Sequence, residues 1–219
     1  MLKDLWKTEA KSPSQGASSK ASAGAGATRT SNGLDQFFAS LQGRENLNIL
    51  DLAGASQANI SFITNLGHRI FSDDILHTLD DAFGGGDQFV ENQSDPQRVA
   101  QFLRQSLDFP DAHFDGALVW DTLQFLSPVL LQETVDRLCR ILRPQASLLA
   151  FFNAEEKLST IPVSSYRIVD SKTLLLLPRG ARKPTQFFNN RTLEKLFQNF
   201  YSVKFFLTRD HLREVIVRR

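Results

Sequence analysis

The sequence predicts an α/β fold: a Rossmann-like, doubly wound sheet of about seven strands, flanked by helices on both faces, with the last strand antiparallel. Three observations carry this. Apolar runs of strand length alternate with runs of helical spacing through the middle of the chain. The run Gly116-Ala117-Leu118-Val119 is wholly uncharged, as suits a strand buried on both faces. The final runs, Val203 to Leu207 and Glu214 to Val217, are joined by a polar link, Thr208 to Leu212, too short to do anything but reverse the chain.

The elements follow in order. From about Ser31, Leu34, Phe37, Phe38 and Leu41 recur at helical spacing until Gly43. Leu47 to Leu52 is a strand. Ile60, Ile63 and Leu66 mark a helix stopped by Gly67, and His68 to Ser72 is a second strand. This βαβ unit predicts parallel strands and a right-handed crossover. Ala82 to Gln93 is Gly-rich and polar, mostly loop, with a short strand expected at Gln88 to Glu91.

Asp95 caps and Pro96 opens a helix whose inner face is Val99, Phe102, Leu103 and Leu107. Asp115 to Trp120 is the fourth strand of the sheet. Ser127 and Pro128 begin a helix with the stripe Leu131, Val135, Leu138 and Leu142, stopped at Arg143-Pro144. Ser147 to Phe152 is the fifth strand. Tyr166 to Asp170 and Thr173 to Leu177 flank a tight polar turn and form a hairpin. Asn190 caps a helix carrying Leu193, Leu196, Phe197 and Phe200.

The chain has 219 residues, enough for one domain, 34–219, preceded by a tail, 1–33. Lys11 to Gly33 is Ser, Ala and Gly with scattered cations, which cannot bury enough apolar surface to offset its ordering entropy. Leu2, Leu5 and Trp6 are candidates for a short amphipathic anchor. The net charge of +1 gives no strong pull toward nucleic acid or anionic lipid, so neither is the expected partner. No apolar run is long enough to span a bilayer, and the start lacks a secretory apolar stretch; a cytoplasmic location is expected. The single cysteine, Cys139, falls in the apolar pattern of a helix and reads as a core residue.

In open α/β sheets, ligands bind outside the carboxyl ends of the strands. That edge receives Asp51-Leu52 and the following Ala53 to Gln57, then Asp73-Asp74, then Trp120-Asp121. Each has a plainer reading: Asp51 bonding its own turn, Asp73 or Asp74 capping the next helix, Trp120 filling the core. No Ser-His-Asp or Cys-His set is present. His68, His77, His113 and His211 are scattered without metal-ligand spacing, so no metal is expected. His113 precedes the fourth strand and is a weak candidate base.

Four motifs, in order, resemble those of class I S-adenosylmethionine-dependent methyltransferases. Leu47-Asn48-Ile49-Leu50-Asp51-Leu52-Ala53-Gly54-Ala55-Ser56 resembles the first motif, an apolar strand, an acidic residue and a Gly-rich turn. Leu107 to Asp115 resembles the loop into the fourth strand, Phe114 to Leu126 the fourth-strand motif, and Leu142 to Leu149 the signature before the fifth strand.

The resemblance, which spans about Leu34 to Arg219, implies S-adenosylmethionine as cofactor. It would lie across Asp51, Ala53, Gly54, Ala55, Ser56 and Gln57, with Asp73 or Asp74 at the ribose and Leu107, Asp108, Trp120 and Asp121 completing the site. Methyl transfer to an unidentified acceptor is the activity implied. The pattern departs from the family in its turn, where three usual glycines are replaced by Ala53, Ala55 and Gln57, leaving only Gly54 between them. Gln57 is bulky enough to enter the space of the methionine end. Gln145-Ala146 replaces a glycine pair.

Substrate selection is expected in the insertion Asn153 to Asn190, where Arg179, Arg182 and Lys183 either meet an anionic acceptor or are solvated. Two further readings stand beside the enzyme: a non-catalytic protein of the same fold that binds cofactor weakly or a partner, and a nucleic-acid-binding module using the tail and Arg179 to Lys183.

Overall fold

The computed structural model describes residues 26–86, 88–155, 158–208 and 210–219. Nine strands form two sheets among these residues. Six of them make the main sheet, in the order β3(Arg69–Ser72), β2(Asn48–Asp51), β4(Phe114–Trp120), β5(Leu142–Asn153), β9(Leu212–Arg218), β8(Ser202–Leu207). β3, β2, β4 and β5 are parallel, and β9 runs antiparallel to both β5 and β8. The reversed last strand is therefore inserted inside the sheet, and the main sheet has six strands rather than about seven. The segment expected as a further strand, Gln88 to Glu91, instead falls in a short helix, α4(Phe89–Asn92).

Period-2 alternation divides the sheet between two cores. Leu50, Ala117, Val119, Leu148, Ala150, Phe152, Val215 and Val217 face one side. There they meet α3(Ile75–Phe83), α5(Pro96–Ser106), α6(Pro128–Ile141) and α7(Asn190–Leu196). Ile49, Leu118, Trp120, Leu149, Phe151 and Ile216 face the other, under α1(Asn32–Ala39) and α2(Gln57–Asn65). Gly116 lets α1 settle on β4, since a Cβ there would lie 2.8 Å from Phe37 Cζ.

The helix boundaries follow the capping chemistry. Ser31 Oγ accepts from Leu34 N, Asp95 from Gln97 N and Arg98 N, and Ser127 from Leu130 N, with proline opening α5 and α6. The cap of α7 is Asn189, one residue before the expected Asn190, in a reciprocal box with Thr192.

The second sheet, β1(Ala27–Thr30), β7(Thr173–Arg182) and β6(Ile161–Asp170), is antiparallel throughout. The predicted hairpin is β6–β7, longer than its apolar core suggested, and it packs against α2. The boundary at 33/34 moves: Ala27–Thr30, assigned to the tail by composition, pairs with Leu176 to Thr173. Its order comes from partners distant in sequence. Arg29 donates to Glu214 at 3.1 Å and to Asp210 at 3.0 Å, and Glu214, fully buried, also accepts from Gly33 N at 2.6 Å. The remaining tail sites, including Leu2, Leu5 and Trp6, lie outside the described residues. No helix among the described residues is long and apolar enough to cross a membrane.

Candidate functional site

The parallel strands bring Asp51, the turn Ala53–Gln57, Asp73, Asp74, Trp120 and Asp121 to one edge of the sheet, as the sequence predicts. The turn is built around Gly54. Its φ of 87° is one that an L side chain rarely adopts, so the remaining glycine takes the strained position itself. Its N–H donates to Asp73 O at 2.9 Å, and Ala53 makes an isolated bridge to Asp74.

Each polar side chain at this edge has a definite assignment. Asp51 is fully buried. Its Oδ1 accepts the Trp120 indole N–H at 2.7 Å and Ala53 N at 3.2 Å, and its Oδ2 accepts the Asn59 amide at 2.8 Å. Burial raises its pKa, partly offset by these donors. Trp120, with φ 58°, is fully buried and stacks on Tyr166 of β6 at 4.9 Å with the ring planes 3° apart. Asn59 ties α2 to the hairpin, donating to Tyr166 O and accepting from Ile168 N.

Asp121 is buried against the Tyr166 hydroxyl and the Ser164 backbone, and desolvation pushes its carboxyl up to about 7. Asp74 caps α3 through His77 N and receives Arg179 at 2.6 Å. Arg182 pairs with Asp80 on the same helix. The two arginines thus pair the hairpin with α3, through ion pairs that stay partly open to solvent.

Asp73 differs. It is half-buried, its carboxyl is raised by desolvation, and it accepts the Asp74 backbone N–H while meeting no side-chain donor among the described residues. Ala55 and Gln57 are exposed, and Ser56 is partly so. The Gln57 amide does not project across the turn. It bonds Ser61 one helical turn on, at 3.0 Å.

Two expected members do not belong to this edge. Leu107 and Asp108 lie in the loop that enters the amino-terminal start of β4, at the opposite end of the sheet. Leu107 is core, and its carbonyl accepts from Arg137 near the end of α6. Asp108 is exposed there. Because the helix before this loop runs antiparallel to the strands, its end delivers the chain to the far edge. His113 follows the same loop and is packed between Phe71, Phe109 and Phe114, away from the candidate site.

Sequence reasoning missed Asn59, Tyr166, Glu214 and Arg29. A polar Asn59 at a buried helical position was the available signal for the first; nothing local marks the others.

No protein-family model and no curated protein sequence matches the chain. Solved structures do. An S-adenosylmethionine-dependent methyltransferase from Archaeoglobus fulgidus superposes with a TM-score of 0.51 at 12% identity, over 85% of this chain and 91% of that one. The chain has a class I methyltransferase fold. Other similar structures include a Burkholderia thailandensis 1,6-didemethyltoxoflavin N1-methyltransferase with bound S-adenosylhomocysteine, at TM-score 0.47 and 15% identity over 85% and 76% of the two chains. The [4+2]-cyclase SpnF matches at TM-score 0.49 and 13% identity, over 85% and 79%.

Proposed function

We propose that this protein is an S-adenosylmethionine-dependent methyltransferase whose cofactor lies over Gly54, Ala55 and Gln57 with its ribose hydroxyls on Asp73. The observation that carries the reading is Asp73: among the described residues its half-buried carboxylate meets no side-chain donor, and it lies beside the Gly54 turn. An acceptor-only group suits a pair of hydroxyl donors. The exposed turn carries no phosphate cradle, which a sulfonium cofactor does not need.

Bound cofactor would supply an already activated methyl group, so the chain has mainly to align the acceptor and exclude water. The β6–β7 hairpin supports the second task, because Trp120 and Tyr166 seal the space behind Asp51. Asp121 supports proton removal from a protonated acceptor. With its carboxyl near 7, it exists in both protonation states at neutral pH.

One observation favours the non-catalytic reading. Asp51, Asp74, Trp120 and Asp121 are all engaged by other parts of this chain. Calorimetric titration with S-adenosylhomocysteine separates the two. The enzyme reading expects saturable binding that tightens in Arg179→Ala, which releases Asp74 and the hairpin arm. Heat of dilution alone in both proteins leaves the fold without this function.

A further inference from the structure

The edge of the main sheet opposite the Ala53–Gln57 turn carries an open groove of about 500 Å³. It lies where β5 and β8 begin and β9 ends, and Pro144, Gln145, Tyr201, Arg218 and Arg219 line it. Backbone bonds fix its frame. Tyr201 N donates to Arg218 O at 2.7 Å, Gln145 N to Arg219 O at 2.7 Å, and Arg219 N to Ala146 O at 3.0 Å.

Three features of the groove are unexplained by packing. Tyr201 is 87% exposed, so its ring is an open, flat surface. Gln145 holds φ 69°, where glycine would be unstrained, and its exposed side-chain amide meets no partner among the described residues. The charge is one-sided. Arg137 pairs with Asp111, and Arg44 and Arg143 share the single carboxylate of Asp115. Arg140, Arg218 and Arg219 meet only backbone carbonyls or solvent, with no carboxylate at ion-pair distance among the described residues. Asp136, on the same stretch of α6, is held by the Gln132 and Asn199 amides.

We propose that this groove binds a nucleoside monophosphate, its base stacked on Tyr201 and its phosphate on Arg218 and Arg219. Guanidinium forks match phosphate oxygens, and an exposed aromatic ring is a platform for a planar base. The Gln145 amide offers both a donor and an acceptor to the base edge. The volume falls in the range of small-ligand sites. The groove and the Gly54 turn are at opposite ends of the strands, so this inference and the cofactor reading can fail separately.

The chain has two tyrosines, so NMR of ring-labelled tyrosine separates the two ends: Tyr201 reports the groove, and Tyr166, stacked on Trp120, reports the candidate cofactor edge. Titration with guanosine 5′-monophosphate, without S-adenosylmethionine, should shift Tyr201 saturably in the millimolar range and leave Tyr166 in place. Calorimetry then follows the variants. Tyr201→Leu, an exposed change that should leave the melting temperature unaltered, should weaken binding about tenfold, the usual scale of one lost base stack. Arg218→Gln should also weaken it and flatten its dependence on salt. Guanosine and ribose 5-phosphate should each bind more weakly than the nucleotide. The proposal is overturned if Tyr201 does not saturate at tens of millimolar, or if Tyr166 shifts in its place. It is also overturned if inorganic phosphate binds as well as the nucleotide, as for a bare anion site, or if a single-stranded oligonucleotide binds far more tightly, as for a nucleic-acid surface.

Discussion

The indole N–H of Trp120 donates to the Asp51 carboxylate across 2.7 Å, joining the ends of two neighbouring parallel strands. Asp51 is fully buried, and Trp120 holds its contact from a left-handed backbone conformation and a stacked Tyr166. An acidic residue at the end of the first strand of the main sheet is thus a structural group here, organising strand, turn and hairpin together.

Trp120→Phe keeps the stacking surface and removes the donor. Leaving a buried carboxylate oxygen short of a partner costs about 1–3 kcal/mol. Urea unfolding should show that loss in the midpoint, with an unchanged slope. An unaltered midpoint would mean that water replaces the indole at no cost.

Arg29→Ala should cost more, about 3–5 kcal/mol, because it strands the fully buried Glu214 carboxylate. The double variant Arg29→Ala, Glu214→Gln should recover much of that loss. Equal destabilisation of the single and double variants would show that β1 matters through its strand pairing instead.

Asp121 gives stability a pH dependence of definite sign. Its folded pKa, about 7, lies above the 3.8 of an ordinary aspartate, so the native state holds the proton more tightly. Its contribution is fully present below about pH 4 and is lost as pH rises toward 7. The lost amount is on the order of 4 kcal/mol from the size of the shift. Asp121→Asn removes the titration. Its unfolding free energy relative to the parent should rise between pH 4 and pH 8. A difference that stays flat across that range would mean that Asp121 titrates normally.

The strand and helix order was legible because the period changes cleanly between 2 and 3.6, and because Asp95-Pro96 and Ser127-Pro128 open their helices as their chemistry dictates. The candidate edge was legible for the same reason: parallel strands must deliver their ends together. Gln145, which stands where the family has a glycine pair, has φ 69°, a departure from the pattern that marked a real backbone constraint. Contacts across long separations were illegible. Arg29 looks like a tail cation until Glu214 lies beside it, and nothing near Arg179 in sequence marks Asp74 as its partner. Leu107 and Asp108 were placed at the site by motif resemblance, whereas the direction of the preceding helix sends them to the other end of the sheet.

The adjacent aspartates provide the most direct test of the cofactor account, since Asp74 is engaged as cap and ion-pair partner and Asp73 is not. The measurement is S-adenosylhomocysteine affinity by calorimetry for the parent, Asp73→Ala and Asp74→Ala. Loss of a hydrogen bond to a charged group is worth roughly 1.5–3 kcal/mol, about ten- to a hundredfold in affinity. The account predicts that loss for Asp73→Ala, with Asp74→Ala binding no more weakly than the parent. Equal affinity of Asp73→Ala and the parent, or no binding by any of the three at millimolar ligand, would contradict it.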